Sequence, residues 1–169
     1  TTMFAQLARR AARPAATAAA ARRQFADAAP AAGLMKLNFN LPQETLYDSV
    51  NVKSVIVPGA TGEYEVTADH VPIVAEMKAG MLTINHEDGE EEKYFVAGGF
   101  SLTHEGSATD IVCPEAVKLD DIDGAAVTKN FEAAKAKAAS AEAGSIEAAE
   151  AMIEVETNRS MGNALGMAM

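Results

Sequence analysis

The sequence predicts a β + α chain: a flattened antiparallel β-sandwich or barrel over residues 35–118, followed by an antiparallel two-helix hairpin over 119–169. Three observations predict it. Strict apolar/polar alternation begins at Met35 and recurs in short runs, separated by turn residues, as far as Cys113, the pattern of half-buried strands. After Cys113-Pro114 the texture changes, and 12 of the 28 residues from Gly124 to Ala151 are alanine, the residue with the strongest helix propensity. Gly144-Ser145 then interrupts that stretch, and two helices joined by so short a loop must lie antiparallel.

Residues 1–25 read as an address rather than a fold. They carry five arginines and no acid, the composition of a cationic amphipathic mitochondrial import signal. The alanines from Ala15 to Ala21 bury too little surface each to form a secretory apolar stretch. Arg23-Gln24-Phe25 fits a matrix-protease cut, with Ala26 as the expected mature start. Residues 26–34 form an Ala/Pro/Gly linker without periodicity. Beyond residue 25 the chain holds nine basic against 24 acidic residues, so the body repels phosphate backbones and anionic headgroups, and no nucleic-acid partner is expected. No run approaches 18 strongly apolar residues, so no bilayer span is expected.

The elements follow in order. Met35, Leu37, Phe39 and Leu41 point one way and Lys36, Asn38 and Asn40 the other. Val50-Asn51-Val52 and Val55-Ile56-Val57 are the next apolar runs, closed by a turn at Pro58-Gly59. Further strands are predicted at 63–67, 81–86 and 93–97, the last two joined by a hairpin at Asp88-Gly89, because glycine accepts the positive φ such turns need. Strands at 100–104 and 109–113 are joined by Glu105-Gly106-Ser107. Gly98 and Gly99, adjacent and between strand residues, imply a bulge or a close backbone approach. Asp120, Asp121 or Asp123 caps the first helix, expected over 122–142, with an imperfect stripe of Ile122, Ala126, Lys129, Phe131, Ala134 and Ala138. Ser145 caps the second, whose apolar positions Ile146, Ala149, Met152 and Ile153 recur at helical steps. Alanine faces bury little area, so the hairpin needs another surface.

Catalytic constellations are not expected. His70, His86 and His104 are spaced by 16 and 18 residues, unlike the i, i+4 pair of a metalloprotease. Asp69-His70 resembles a base beside its orienting carboxylate, but no nucleophile elbow or activated cysteine accompanies it, so a structural or interface histidine is expected. The acidic run Glu87, Asp88, Glu90, Glu91 and Glu92 reads as a solvated hairpin tip, because a calcium loop needs oxygen ligands in a fixed frame. Cys113 ends an apolar strand and reads as a buried, inert thiol. No catalytic, cofactor or metal residues are expected.

Taken in order, Val57-Pro58-Gly59-Ala60-Thr61-Gly62-Glu63, Asp69-His70-Val71-Pro72-Ile73-Val74, Lys78-Ala79-Gly80-Met81-Leu82-Thr83-Ile84 and Tyr94-Phe95-Val96-Ala97-Gly98-Gly99-Phe100 closely resemble the signature of the F-type ATP synthase central-stalk subunit family. Its members are called epsilon in bacteria and chloroplasts and delta in mitochondria, and the import signal points to the mitochondrial branch. The resemblance implies a flattened sandwich, often described as ten-stranded, with a helical hairpin and no catalysis of its own. It also implies a rotor subunit on the matrix side of the inner membrane, gripping the gamma subunit and resting on the c-ring, with the small mitochondrial epsilon subunit against the hairpin. Ala60, Thr61, Gly62 and Glu63 would face the ring, and His70, Val71 and Pro72 would face gamma. Gly59, Gly80, Gly98 and Gly99 are the signature glycines.

Two other readings stand beside this one: a hairpin that inhibits ATP hydrolysis, and an unrelated mitochondrial β-sandwich enzyme or ligand module, for which no convergent polar groups are visible. Some bacterial relatives bind ATP on the hairpin through an Ile/Leu-Asp-x-x-Arg-Ala motif. Here Ile122-Asp123-Gly124-Ala125-Ala126-Val127 has alanine at the arginine position, removing the cation a phosphate would need. Isothermal titration with ATP is therefore expected to return no binding, and a micromolar affinity would overturn that reading.

Overall fold

The computed structural model describes residues 30–168; the expected import signal and the start of the linker, 26–29, lie outside the described residues. Eight strands come first: β1 (Met35–Asn40), β2 (Thr45–Val52), β3 (Ser54–Gly59), β4 (Gly62–Thr67), β5 (Ile73–Asn85), β6 (Glu91–His104), β7 (Ala108–Val112) and β8 (Ala116–Lys118). A short 3-10 turn, Leu119–Asp121, leads to α1 (Gly124–Ser140) and α2 (Ile146–Ala164). The sheet order is β2-β1-β7-β6-β5-β3-β4, with β8 paired to β6. Neighbours are antiparallel except β1 with β7, which run parallel. The sheet wraps around one core built from Met35, Leu37 and Phe39 of β1, Val55 and Val57 of β3, Leu82 and Ile84 of β5, Val96 of β6 and Ile111 of β7.

The sandwich-plus-hairpin class stands, but the strands number eight among the described residues rather than about ten. The reason lies in β5 and β6. The strand expected to start at Met81 begins at Ile73, and those expected at 93–97 and 100–104 are one element. Both long strands change face along their length. In β6, Tyr94 and Val96 enter the core, whereas Ser101 and Thr103 are the buried residues further on. In β5, Met77 is buried on one side of Gly80, and Leu82 and Ile84 on the other. Each long strand thus supplies two segments of opposite phase, which is how a sheet turns a corner between layers.

Gly98 and Gly99 make that corner. Their φ angles are +107° and +137°, in the region that excludes side chains. A Cβ at Gly99 would collide with the carbonyl oxygen of Val112 and lie 2.9 Å from Cys113 Cα. The close approach expected from the glycine pair is therefore present. Pro58-Gly59 is not the turn it resembles: both stay in β3, opposite Glu63 and Gly62, and the chain reverses at Ala60-Thr61. The reversal is so tight that a Cβ on Gly59 would sit 2.7 Å from the Gly62 carbonyl oxygen.

The helices begin and end closer together than 122–142 suggests. The Asp123 side chain accepts from Ala125 N at 2.9 Å, which caps α1 and leaves Ile122 outside it. Ser145 Oγ accepts from Ala148 N at 3.1 Å to cap α2, after Gly144 at φ +85°. In α1, Val127, Phe131 and Ala134 turn inward, while Ala126 and Lys129 of the expected stripe are exposed. In α2 the expected face is reversed. Ala151 and Gly162 are buried, whereas Ile146 is 75% exposed, Met152 67% and Ile153 66%. Residues without bulk allow α2 to approach its neighbours closely, which leaves the large apolar side chains outside. Lys137 Nζ meets Glu154 Oε1 across the hairpin at 3.0 Å, and the end of α2 returns to the sandwich, where Ser160, Asn163 and Ala164 face Lys78, Gly80 and Met81.

Gly99→Ala should destabilise the chain by on the order of 3 kcal/mol, from overpacking added to backbone strain. Gly106→Ala, with φ +83° but open space around its Cβ position, should cost about 1 kcal/mol from strain alone. Urea unfolding of both variants checks this; equal midpoints would contradict the account of the corner.

Candidate functional site

The β3–β4 reversal is held against the start of β5 by one backbone bond, Ala60 N to Glu76 O at 2.9 Å. The loop from Asp69 to Pro72 lies beside it and is fixed from the opposite direction. Asp69 adopts φ +60°, and its N–H donates to Ser107 Oγ at 2.8 Å. The Ser107 hydroxyl in turn donates to Asp69 Oδ1 at 3.2 Å. Ser107 is itself buried at the turn between β6 and β7, so the loop is pinned to the rim of the sheet. His70 Nδ1 donates to the Val71 carbonyl oxygen at 2.8 Å. That bond shapes the loop.

Between these segments runs an open groove of about 600 Å³. Gly59, Ala60, Thr61, Gly62 and Glu63 line one wall together with Tyr64, while His70 and the stretch from Ile73 to Glu76 line the other. The resemblance implies two different surfaces for residues 60–63 and 70–72; the structure brings the turn and His70 into one cleft, with Val71 and Pro72 exposed alongside. Of the signature glycines, Gly59 lines the groove. Gly80 lies under Pro58, with its Cβ position 3.0 Å from that ring, and Gly98 and Gly99 belong to the corner. Sequence reasoning missed the apolar surface beside the groove: Val74 is 71% exposed, Phe100 54% and Val112 46%. Phe100 lies opposite both Glu76 and Val112 in register. Its outward direction follows from the change of phase at the glycine pair, which no local pattern announces.

A second cluster lies beyond the opposite end of β5. Tyr47 Oη and Tyr94 Oη donate to Glu92 Oε2 at 2.7 and 2.9 Å, and Lys118 Nζ lies 3.4 Å from the same oxygen. The His86 ring stacks on Tyr47 with 6.1 Å between centroids. Glu87, Asp88, Glu90 and Glu91 are exposed, as a solvated tip requires, but Glu92 is half-buried. The Tyr47 hydrogen bond, helped by Tyr94 and Lys118, holds the Glu92 carboxyl below its ordinary range against the opposing effect of burial. Burial, followed by the hydrogen bond to Glu92, pushes the Tyr47 hydroxyl up. Because Lys118 ends β8 just before the 3-10 turn, the cluster fastens the root of the hairpin to the sandwich.

No cluster among the described residues offers three metal-ligating side chains. Cys113 is 2% exposed, and burial pushes its thiol up to about 11, so it stays protonated at neutral pH. The arrangement is one of shape and surface.

Residues 34–119 match the family model described as the ATP synthase delta/epsilon chain, beta-sandwich domain. The chain belongs to the ATP synthase delta/epsilon family. Its similarity to family members continues past that domain. The mitochondrial ATP synthase subunit delta of Eremothecium gossypii is 39% identical over 146 residues, covering 86% of this chain and 89% of that protein. The Schizosaccharomyces pombe subunit delta is 33% identical over 143 residues, covering 85% and 84%. Among solved structures, a chain in the mitochondrial ATP synthase of Euglena gracilis superposes with a TM-score of 0.74 at 26% identity, covering 79% of this chain and 82% of its own.

The Glu92 cluster has a testable pH signature. A carboxyl depressed in the folded state stabilises it above the unfolded carboxylate value, and that contribution is lost as pH falls through the folded value. Glu92→Gln should therefore lower stability at pH 7 by about 1 kcal/mol, a figure reduced for partial exposure. It should also flatten the acid side of the stability curve. Urea midpoints from pH 7 to pH 3 that keep a constant offset from the parent would contradict the assignment.

Proposed function

We propose that this chain works as a non-catalytic central-stalk subunit of mitochondrial ATP synthase, carrying rotation between the proton-driven ring and the catalytic head. The observation that supports it most is the likeness, at 0.74 over most of both chains, to a subunit within a Euglena gracilis assembly described as OSCP, F1 and c-ring. The chain resides in the mitochondrion, peripheral to the membrane; no helix of the described residues is long and apolar enough to cross one. Residues 1–25 serve as the import signal, removed ahead of Ala26.

Torque transmission sets physical requirements that differ from those of catalysis. The linker must be stiff, and its contacts must be broad and shape-matched, above ~1,000 Å² in total. Strands of 13 and 14 residues span roughly 45 Å at 3.3 Å per residue, so β5 and β6 tie both layers of the sandwich together. We assign the turn from Ala60 to Glu63 to the polar loops of the c-ring, where the Glu63 carboxylate sets register more than affinity. We assign His70, Val71 and Pro72, with the apolar shoulder of Val74, Phe100 and Val112, to the gamma subunit. The outward face of α2, Ile146, Met152 and Ile153, is left for gamma and the small mitochondrial epsilon subunit.

A second reading, the hairpin as an inhibitory switch, draws support from the polar seat of α2 on the sandwich, where Ser160 and Asn163 rather than bulky apolar residues face β5. The charge of the hairpin opposes it: four basic against nine acidic residues from Asp120 onward. Deleting residues 120–169 separates the readings. A brace predicts weakened assembly on native gels with unchanged hydrolysis per assembled enzyme; a switch predicts raised hydrolysis. Glu63→Lys is expected to loosen the ring attachment and leave the stalk contact intact, measured by the chains that copurify; full retention of the ring through a salt wash would refute the assignment of the turn.

A further inference from the structure

The groove follows the edge of a strand rather than the face of a sheet. Ile73, Val74, Ala75 and Glu76 are consecutive and all line it, although side chains alternate across a strand; only the edge presents four residues in a row. The hydrogen bonding gives the direction. Glu76 accepts from Ala60 N on the side away from β6. In an antiparallel pair a residue's N–H and C=O share one side and the side alternates along the strand, so Val74 two residues earlier points both groups the same way. β3 pairs with β5 only as far as the Gly59–Met77 pair before the chain reverses. Among the described residues no strand lies against the edge at Val74.

This edge is less guarded than the two ends of the sheet. β4 carries Glu63 and Glu65, and β2 is interrupted by Asp48 and by Ser49 at φ +53°, the devices that keep free edges from pairing. At the start of β5, Ile73 and Val74 are exposed and apolar, with Glu76 the exposed charge that follows them. The opposite wall holds Tyr64. Two carboxylates, Glu63 and Glu76, line the same groove.

We propose that the groove accepts an extended segment of the gamma subunit, the partner assigned above to His70 and Val74, as an added strand on the edge of β5. The incoming backbone accepts from Val74 N–H and donates to Val74 C=O, continuing the line that β3 leaves at Gly59. Alternate apolar side chains of the segment rest on Ile73 and Val74, and a lysine or arginine in it meets Glu76. Strand addition takes its affinity from the main chain and its specificity from pockets for alternate side chains, and this groove offers both. The proposal rests on the rotor reading above and adds the mode of contact.

Hydrogen exchange with mass spectrometry, on purified ATP synthase and on the free full-length chain, tests it. In the assembly the Val74 amide should exchange at least on the order of tenfold more slowly than in the free chain. Val74→Pro removes that N–H where it faces no strand, so the free variant should fold, as edge prolines do. Its retention in salt-washed enzyme should fall about tenfold, while Val74→Ala, which keeps the donor, is retained. Equal Val74 exchange in the free and assembled chain, or full retention of Val74→Pro, overturns strand addition while leaving rotor membership intact. Absence of the unmodified chain from purified ATP synthase overturns the rotor reading, and the proposal falls with it.

Discussion

The Val112 carbonyl oxygen lies where a side chain at Gly99 would have to be, and much of the molecule's shape follows from that contact. With no Cβ at 98 or 99 and both φ angles positive, β6 reverses its buried phase without ending. One continuous strand then contributes Tyr94 and Val96 to the core before the corner and buried Ser101 and Thr103 after it. β5 keeps its register with β6 through the same region. A pair of strands that turns together resists shear between layers better than two layers joined by loops, because two hydrogen-bonded backbones cross the corner in register. For a part that must not slip under torque, that continuity matters more than any single pocket.

The same corner exposes the apolar shoulder of the groove. The reversal of phase that buries Ser101 turns Phe100 outward beside Val112 and opposite Glu76. β5 begins at Ile73, past the point where β3 ends, which opens the groove. Its walls are held from two directions: Ala60 to Glu76 across the turn and Asp69 to Ser107 across the sheet rim. At the far end Glu92, gripped by two tyrosines and Lys118, anchors the hairpin root. The hairpin buries little bulk of its own, so its position depends on this anchor, on the seat of α2 and on whatever covers Ile146, Met152 and Ile153.

What could be read from the sequence was what short-range chemistry decides. The Asp88-Gly89 turn, the Ser145 cap after Gly144 and the close approach at Gly98-Gly99 each follow from a few adjacent residues and are present, and the alternation from Met35 to Leu41 holds except that Lys36 is buried. The resemblance added the order of the motifs and the family. What could not be read depends on residues far apart in the chain. Pro58-Gly59 looks like a turn and is strand, because Gly62 and Glu63 return to pair with it. The apolar positions of α2 form a fair stripe on paper, yet Ala151 and Gly162 win the inner face because packing there favours close approach over bulk. Glu92 is one of five acids in a polar run, and only the fold brings Tyr47 and Tyr94 to it. The meeting of 60–63 with His70 in one cleft has no sequence signature, since a local pattern does not report which loops share a rim.

The central claim is that this chain couples rotation and performs no chemistry. It is tested most directly by proton-driven ATP synthesis in vesicles containing ATP synthase depleted of the chain and then resupplied with it. The account predicts that depletion abolishes synthesis while the detached catalytic head still hydrolyses ATP, and that adding back the chain restores synthesis in step with its incorporation. Synthesis at full rate in enzyme shown to lack the chain would contradict it.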